Sequence, residues 1–166
     1  MDALEIKFQR LLRSGEFESA REALEMWQES SHPPIAVAAH RHSALLCQEG
    51  RYQDAAVILS RVIDALLDIN QLCRVRRART YMALGKFQSA LFDWQTIAAD
   101  PSTIVQEAIG GSSRFMIAYI FARSGSPEFA KAFSQIVPNA EDYVVDRVLK
   151  SADLQELYIK ARSVST

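Results

Sequence analysis

Three histidines, two cysteines and one glycine–serine run are the places where this 166-residue chain could carry chemistry. His32 stands before Pro33-Pro34, in a loop. His40 and His42 are two residues apart, so on a helix they point to different sides and cannot share a metal ion. No Cys-x-x-Cys or His-x-x-x-His spacing occurs, and with it goes the usual basis for a zinc site. Cys47 and Cys73 both fall in helical patterns and read as buried free thiols. Gly110-Gly111-Ser112-Ser113 is not followed by Gly-Lys-Ser/Thr, so it is not a phosphate loop and reads as a helix break or kink. No nucleophile with a convergent acid–base set emerges. The expectation is a protein that is not an enzyme and needs no cofactor or metal.

Arginine is the other chemically active type here. Arg74, Arg76, Arg77 and Arg79 crowd one helical pattern, with Lys86 beyond and no acid between Leu72 and Gly85. On a helix Arg76 and Arg79 share a face, whereas Arg74 and Arg77 lie on others. The net charge is −1, and no ladder of aromatic residues interleaves with the basic helix. Nucleic acid is therefore not the expected partner. A membrane is not expected either: the longest apolar run, Phe115 to Ala122, is about eight residues where a span needs roughly 20. The opening Met1-Asp2-Ala3-Leu4-Glu5 has no basic start and no apolar stretch of a signal peptide. With two cysteines in helices, this points to a reducing, cytoplasmic setting.

The elements that must position these residues come from a repeat. Gly15-Glu16-Phe17-Glu18-Ser19-Ala20 returns as Gly50-Arg51-Tyr52-Gln53-Asp54-Ala55 and as Gly85-Lys86-Phe87-Gln88-Ser89-Ala90, a period of 35 residues. A looser copy, Gly125-Ser126-Pro127-Glu128-Phe129-Ala130, follows 40 residues later. Glycine ends a helix in the left-handed conformation that other residues reach only at a cost. The aromatic residue fills the gap within a helix pair, and alanine keeps the second helix thin where it crosses the first. Helical apolar patterns flank each copy: Leu4, Phe8 and Leu11 before the first, Ala20, Ala23, Leu24 and Trp27 after it. Pro33-Pro34 and Asp100-Pro101 stop the second helices of units one and three. Unit two ends near Asp68-Ile69-Asn70. Beyond Pro138, Ala140 to Lys150 reads as a helix through Val144, Val145, Val148 and Leu149. Ser151 then opens a last helix with a stripe of Leu154, Leu157, Tyr158 and Ala161.

The period, the Gly-x-aromatic-x-x-Ala signature and the closing proline resemble tetratricopeptide repeats over roughly residues 2–137. The resemblance implies an all-α fold: a right-handed superhelical solenoid of antiparallel helix pairs. It would be one domain, 1–166, with repeats over about 2–34, 36–69, 71–101 and a degenerate fourth over 103–138. The terminal helices, 139–163, would hide the last exposed face.

In this family the first helix of each pair lines a concave groove. The matching positions make Arg41, Val75, Arg76, Arg79 and Met82 groove residues, joined by Phe115, Met116 and Tyr119 from unit four. A groove with an apolar second half and a basic centre suits another protein, offering an apolar helix or extended segment with acidic residues beside it. The resemblance thus implies an adaptor or chaperone. It does not extend to the receptors for heat-shock chaperone tails. Of the positions that form their clamp, here Glu5, Gln9, Arg41, Leu72 and Arg76, only Arg76 keeps the required type. Small cytoplasmic chaperones of type III secretion systems, with about three such repeats and extra terminal helices, are similar in length, terminal helices and apolar groove and form one alternative. A structural subunit of a larger complex, or a homodimer, forms the other.

Overall fold

The computed structural model describes residues 2–65, 71–144 and 147–164. It divides into two compact units, residues 1–84 and 85–166.

The first unit holds α1 (Ala3–Ser14), α2 (Phe17–Ser31), α3 (Ile35–Gln48), α4 (Tyr52–Ala65) and α5 (Gln71–Ala83). Asp2 starts α1 by accepting a hydrogen bond from the Leu4 N–H at 2.8 Å. Gly15 ends it at φ 80°, with the Glu16 N–H reaching the Leu11 carbonyl at 3.0 Å and the Gly15 N–H reaching Leu12 at 3.4 Å. This is the paired closure that a left-handed glycine permits. Gly50 repeats it after α3: φ is 75°, and the Arg51 and Gly50 amides bond to Leu46 and Cys47 at 2.8 and 3.1 Å. Gly85 and Gly125 are left-handed too, at 71° and 63°. The glycine of every copy therefore does the work expected of it. His32 ends α2 in the same left-handed region, and Pro33-Pro34 carries the chain into α3. The end of unit two, near Asp68-Ile69-Asn70, lies outside the described residues.

Consecutive helices pack as pairs, α1 on α2 and α3 on α4, and α5 then packs on both α3 and α4. The repeated alanines sit where the helices cross: Ala20, Ala55 and Ala90 have no exposed surface. Phe8, Leu11, Leu24, Trp27 and Leu45 form one apolar cluster, with Phe17 packed at its edge. Ala36, Ala39, Leu59, Val62 and Cys73 form a second that joins α3, α4 and α5.

The second unit holds α6 (Phe87–Ala98), α7 (Thr103–Val105), a π-helical turn (Gln106–Gly110), α8 (Gly111–Ser124), α9 (Phe129–Phe133), strands β1 (Glu141–Val144) and β2 (Arg147–Lys150), and α10 (Ser151–Val164). Of the break or kink expected at Gly110-Gly111, the break does not occur and the irregularity is a π-helical turn. The chain runs helically from Thr103 to Ser124, with one wider turn before Gly111. That turn lets the Gln106 amide donate to the carbonyls of Ile97 (3.1 Å), Ala98 (3.4 Å) and Asp100 (2.8 Å), closing the end of α6. Arg114 holds the other side of the same amide at 2.7 Å.

The helix expected over Ala140–Lys150 is instead an antiparallel hairpin, pairing Glu141 with Lys150 and Asp142 with Leu149. The residues explain the difference. Val144 and Leu149 lie on one face and are buried, while Val148 lies on the other and is exposed. That two-residue alternation, rich in β-branched side chains, is a strand pattern. The fourth repeat is also cut short. Its second helix, α9, has five residues, and its Ala130 is exposed where the other copies are buried. Phe129 is buried in its place and stacks on Tyr158 of α10 at 4.5 Å between centroids. Helix α10 starts as expected at Ser151, with the Asp153 carboxylate accepting from the Lys150 N–H at 2.7 Å, and packs against α8. Among the described residues no helix is long and apolar enough to cross a membrane.

Candidate functional site

The first helices of successive pairs, α1, α3 and α5, are tied to one another by two polar bridges. Arg41 of α3 donates from Nε and Nη2 to one oxygen of Glu5 in α1, at 3.0 and 2.6 Å. Arg76 of α5 directs Nε and Nη2 at one atom of His40 in α3, Nε2, both at 3.3 Å. Each bridge spans 36 residues. Glu5 and His40 are one 35-residue repeat apart, and so are Arg41 and Arg76. The two bridges are thus the same contact made twice, one residue beyond the repeat period. What differs is the acceptor: a carboxylate in the first, an imidazole in the second.

The acceptor decides the charge balance. The Arg41–Glu5 pair is neutral overall and partly covered, with 27% and 13% of the two side chains exposed. In the second bridge a guanidinium can only donate, so Nε2 of His40 accepts and the ring proton sits on Nδ1. Burial, then Arg76, then Arg41, depress the His40 pKa from 6.5 to about 4, so the ring is neutral at pH 7. Arg76 is half-buried; among the described residues its guanidinium is hydrogen-bonded to His40, and its backbone carbonyl accepts from the Thr80 hydroxyl at 2.8 Å. Burial foremost, and the nearby Arg79 and Arg41 guanidinia, act against its charge. Cys47 and Cys73 flank it. Cys47 shares a hydrogen bond with Thr80 at 3.4 Å, Cys73 donates to the Ala36 carbonyl at 3.4 Å, and burial pushes the Cys73 thiol up. Both cysteines are free.

Of the residues expected in the groove, this unit brings Arg41, Arg76 and Arg79 near one another, with Val75 next to Arg76 in the chain. Arg79 is exposed and Val75 half-buried. Met82 is a core residue, 3% exposed, and offers little surface. Phe115, Met116 and Tyr119 lie on α8 in the second unit. They too are core, at 1, 0 and 6% exposed, rather than an open apolar surface. The reason is that helical spacing marks buried and groove-facing apolar positions alike. The apolar side chains that are open near the bridges are Ile6, beside Glu5, and Leu72, one turn before Arg76, at 53 and 56% exposed. Glu5 and His40 join the site as acceptors that the expected set of partner-binding residues lacks. Their signal was in the sequence, as potential acceptors one repeat plus one residue before an arginine.

His42, on the other side of α3, faces a separate set. Arg21 and Arg51 both reach the largely covered Glu49 carboxylate, Arg51 at 3.7 Å. Burial first, then these two arginines, lower the His42 pKa. Among the described residues no three of His, Cys, Asp and Glu are grouped to hold a metal ion. Comparison with protein families, curated proteins and solved structures finds no match for the chain.

Proposed function

We propose that this chain is a tetratricopeptide-type module that holds a partner polypeptide along the face of α1, α3 and α5, as an adaptor or chaperone. The observation that carries the reading is the repeated bridge: two successive pairs present an arginine from their first helices at equivalent positions, one of them without an acid, beside exposed Ile6 and Leu72. A surface of this kind offers main-chain-independent anchors for apolar side chains and a positive centre for an acidic one. The left-handed glycines at equal spacing, the buried alanines and the packed pairs support the repeat assignment. A small secretion-type chaperone is an alternative form of this function, favoured by the size of the chain.

The test uses the full chain as bait, with the captured polypeptides identified by mass spectrometry. Leu72→Glu and Arg79→Glu change exposed side chains, so both variants keep their helix content by circular dichroism. A partner bound by the parent and lost by both variants supports the reading. A partner retained equally by both places the binding surface elsewhere and rejects this face.

A second reading, a fixed subunit or homodimer, is favoured by exposed apolar side chains in the second unit. Val148 on β2 and Ile159 on α10 are 55 and 68% exposed, and those two elements pack together. Light scattering separates the readings: a dimer that survives dilution and is lost in Ile159→Glu supports the second, and a monomer rejects its homodimer form.

A further inference from the structure

We propose that Arg76 and His40 form a carboxylate site that takes an acidic side chain of the held polypeptide and binds a proton from solvent at His40 as it does so. The identity of the carboxylate's owner rests on the polypeptide-holding reading; the site itself does not.

The first bridge shows what the second lacks. At Arg41 the position one repeat before His40 supplies a carboxylate, Glu5, and the arginine's charge is met within the chain. At Arg76 the equivalent position supplies a neutral ring, at a longer 3.3 Å, and the charge is not met by a carboxylate among the described residues. A half-buried guanidinium has lost part of its hydration, and a neutral acceptor returns only part of that loss. An arriving carboxylate restores it. Two of the five guanidinium donors face His40, so others remain to take a carboxylate, and the nearby positive charge of Arg79 attracts it further.

The proton follows from the same geometry. The charged groups acting on His40 are Arg76, from α5, and Arg41, from its own helix. Glu5 of α1 touches the set through Arg41, and Arg79, Cys47 and Cys73 surround Arg76. The other helices packed on α3, α2 and α4, bring no described charged group that acts on the ring. With two cations and no anion in direct contact, the ring stays neutral. A carboxylate at Arg76 puts a negative charge within a few ångströms of it and favours the imidazolium. Nδ1–H and the newly formed Nε2–H then both donate, so the ring turns from an acceptor for Arg76 into a donor for the carboxylate.

The probe is acetate, a carboxylate with no polypeptide attached. The full chain, labelled at histidine, is followed by NMR from pH 7.5 to 5.0 in sodium chloride and in sodium acetate of equal ionic strength. In chloride the His40 ring signals remain those of the neutral ring throughout. In acetate they move towards the protonated ring, with the midpoint raised by about one pH unit, while exposed His32 responds alike in both salts. Arg76→Gln removes the acetate response. If acetate moves His40 no more than chloride does, the proposal is overturned, even when the bait experiment recovers a partner. If acetate moves it and no polypeptide is held, the site stands and the holding reading falls. The comparison in the parent protein decides the matter should the Arg76 variant fail to fold.

Discussion

At the scale of single residues, His40 makes the protein sensitive to mild acid without any ligand. Its pKa is depressed from 6.5 to about 4 in the folded chain, mainly by burial and then by Arg76 and Arg41. Between those values the unfolded chain binds a proton that the folded chain does not, so stability is complete above pH 6.5 and falls as pH drops towards 4. The full difference corresponds to roughly 3 kcal/mol; solvent around the half-buried ring cuts it to about 1–2 kcal/mol. His42, lowered for the same leading reason, acts in the same direction. Urea midpoints measured from pH 7.5 to 4.5 check this. The parent loses stability over the interval, and His40→Gln, which keeps an acceptor for Arg76 but does not titrate, loses less by about that amount. Equal slopes for the two proteins would show that His40 is not the sensing group. Which residues do this was only half legible in the sequence. That Arg41 and Arg76 stand at equivalent positions of their helices follows from the 35-residue period and is readable in the sequence. That Glu5 answers Arg41 while a neutral ring answers Arg76 depends on an offset of 36 between neighbouring pairs, which the period of 35 does not itself contain.

At the scale of elements, the glycines separate two physical roles. Gly50 ends α3 with φ 75°, and a Cβ there meets no atom within 4 Å, so backbone strain alone opposes a side chain. Gly50→Ala is expected to cost about 1 kcal/mol in chemical denaturation, and Gly50→Asn less, because asparagine enters the left-handed region more readily. Gly110 and Gly111 are neighbours with opposite outcomes. A Cβ on Gly110 lies 2.6 Å from the Gln106 side-chain oxygen, and that side chain closes the end of α6. A Cβ on Gly111 meets nothing, and its backbone is right-handed helical. Gly110→Ala should therefore lower stability by about 1–2 kcal/mol through the displaced amide, and Gly111→Ala should raise it by about 0.5–1 kcal/mol. Thermal melts of the two variants check the signs; matching signs would mean that the Gln106 cap contributes nothing. These elements also show where sequence reading succeeds and fails. Caps obey a local rule, so the turns at 15, 50, 85 and 125 were readable. Gly110-Gly111 read as a break or kink, and no pattern within the run announces that Gln106 will reach back to α6. The run from Glu141 to Lys150 is short and mixes charged with β-branched residues, a length at which helix and strand patterns overlap.

At the scale of the whole molecule, stability should be distributed along the chain rather than shared by one core. Within the first unit each helix packs mainly on its neighbours in sequence, and the apolar clusters are built from adjacent pairs. Chains built this way behave as a row of units whose stabilities add through nearest-neighbour contacts. The protein carries its own reporters: Trp27, buried in the first unit, and Trp94, buried in the second. Two single-tryptophan versions, each with the other tryptophan changed to Phe, let urea unfolding be read separately at the two places. Leu24 is 3% exposed and lies in the cluster of Trp27. Removing its side chain as Leu24→Ala should cost about 2–4 kcal/mol locally. The Trp27 transition is expected to move to lower urea by the larger share, and the Trp94 transition by clearly less, so that the two curves part. If both move together by the same amount, the chain unfolds as one cooperative body, and the row-of-units description fails for this protein.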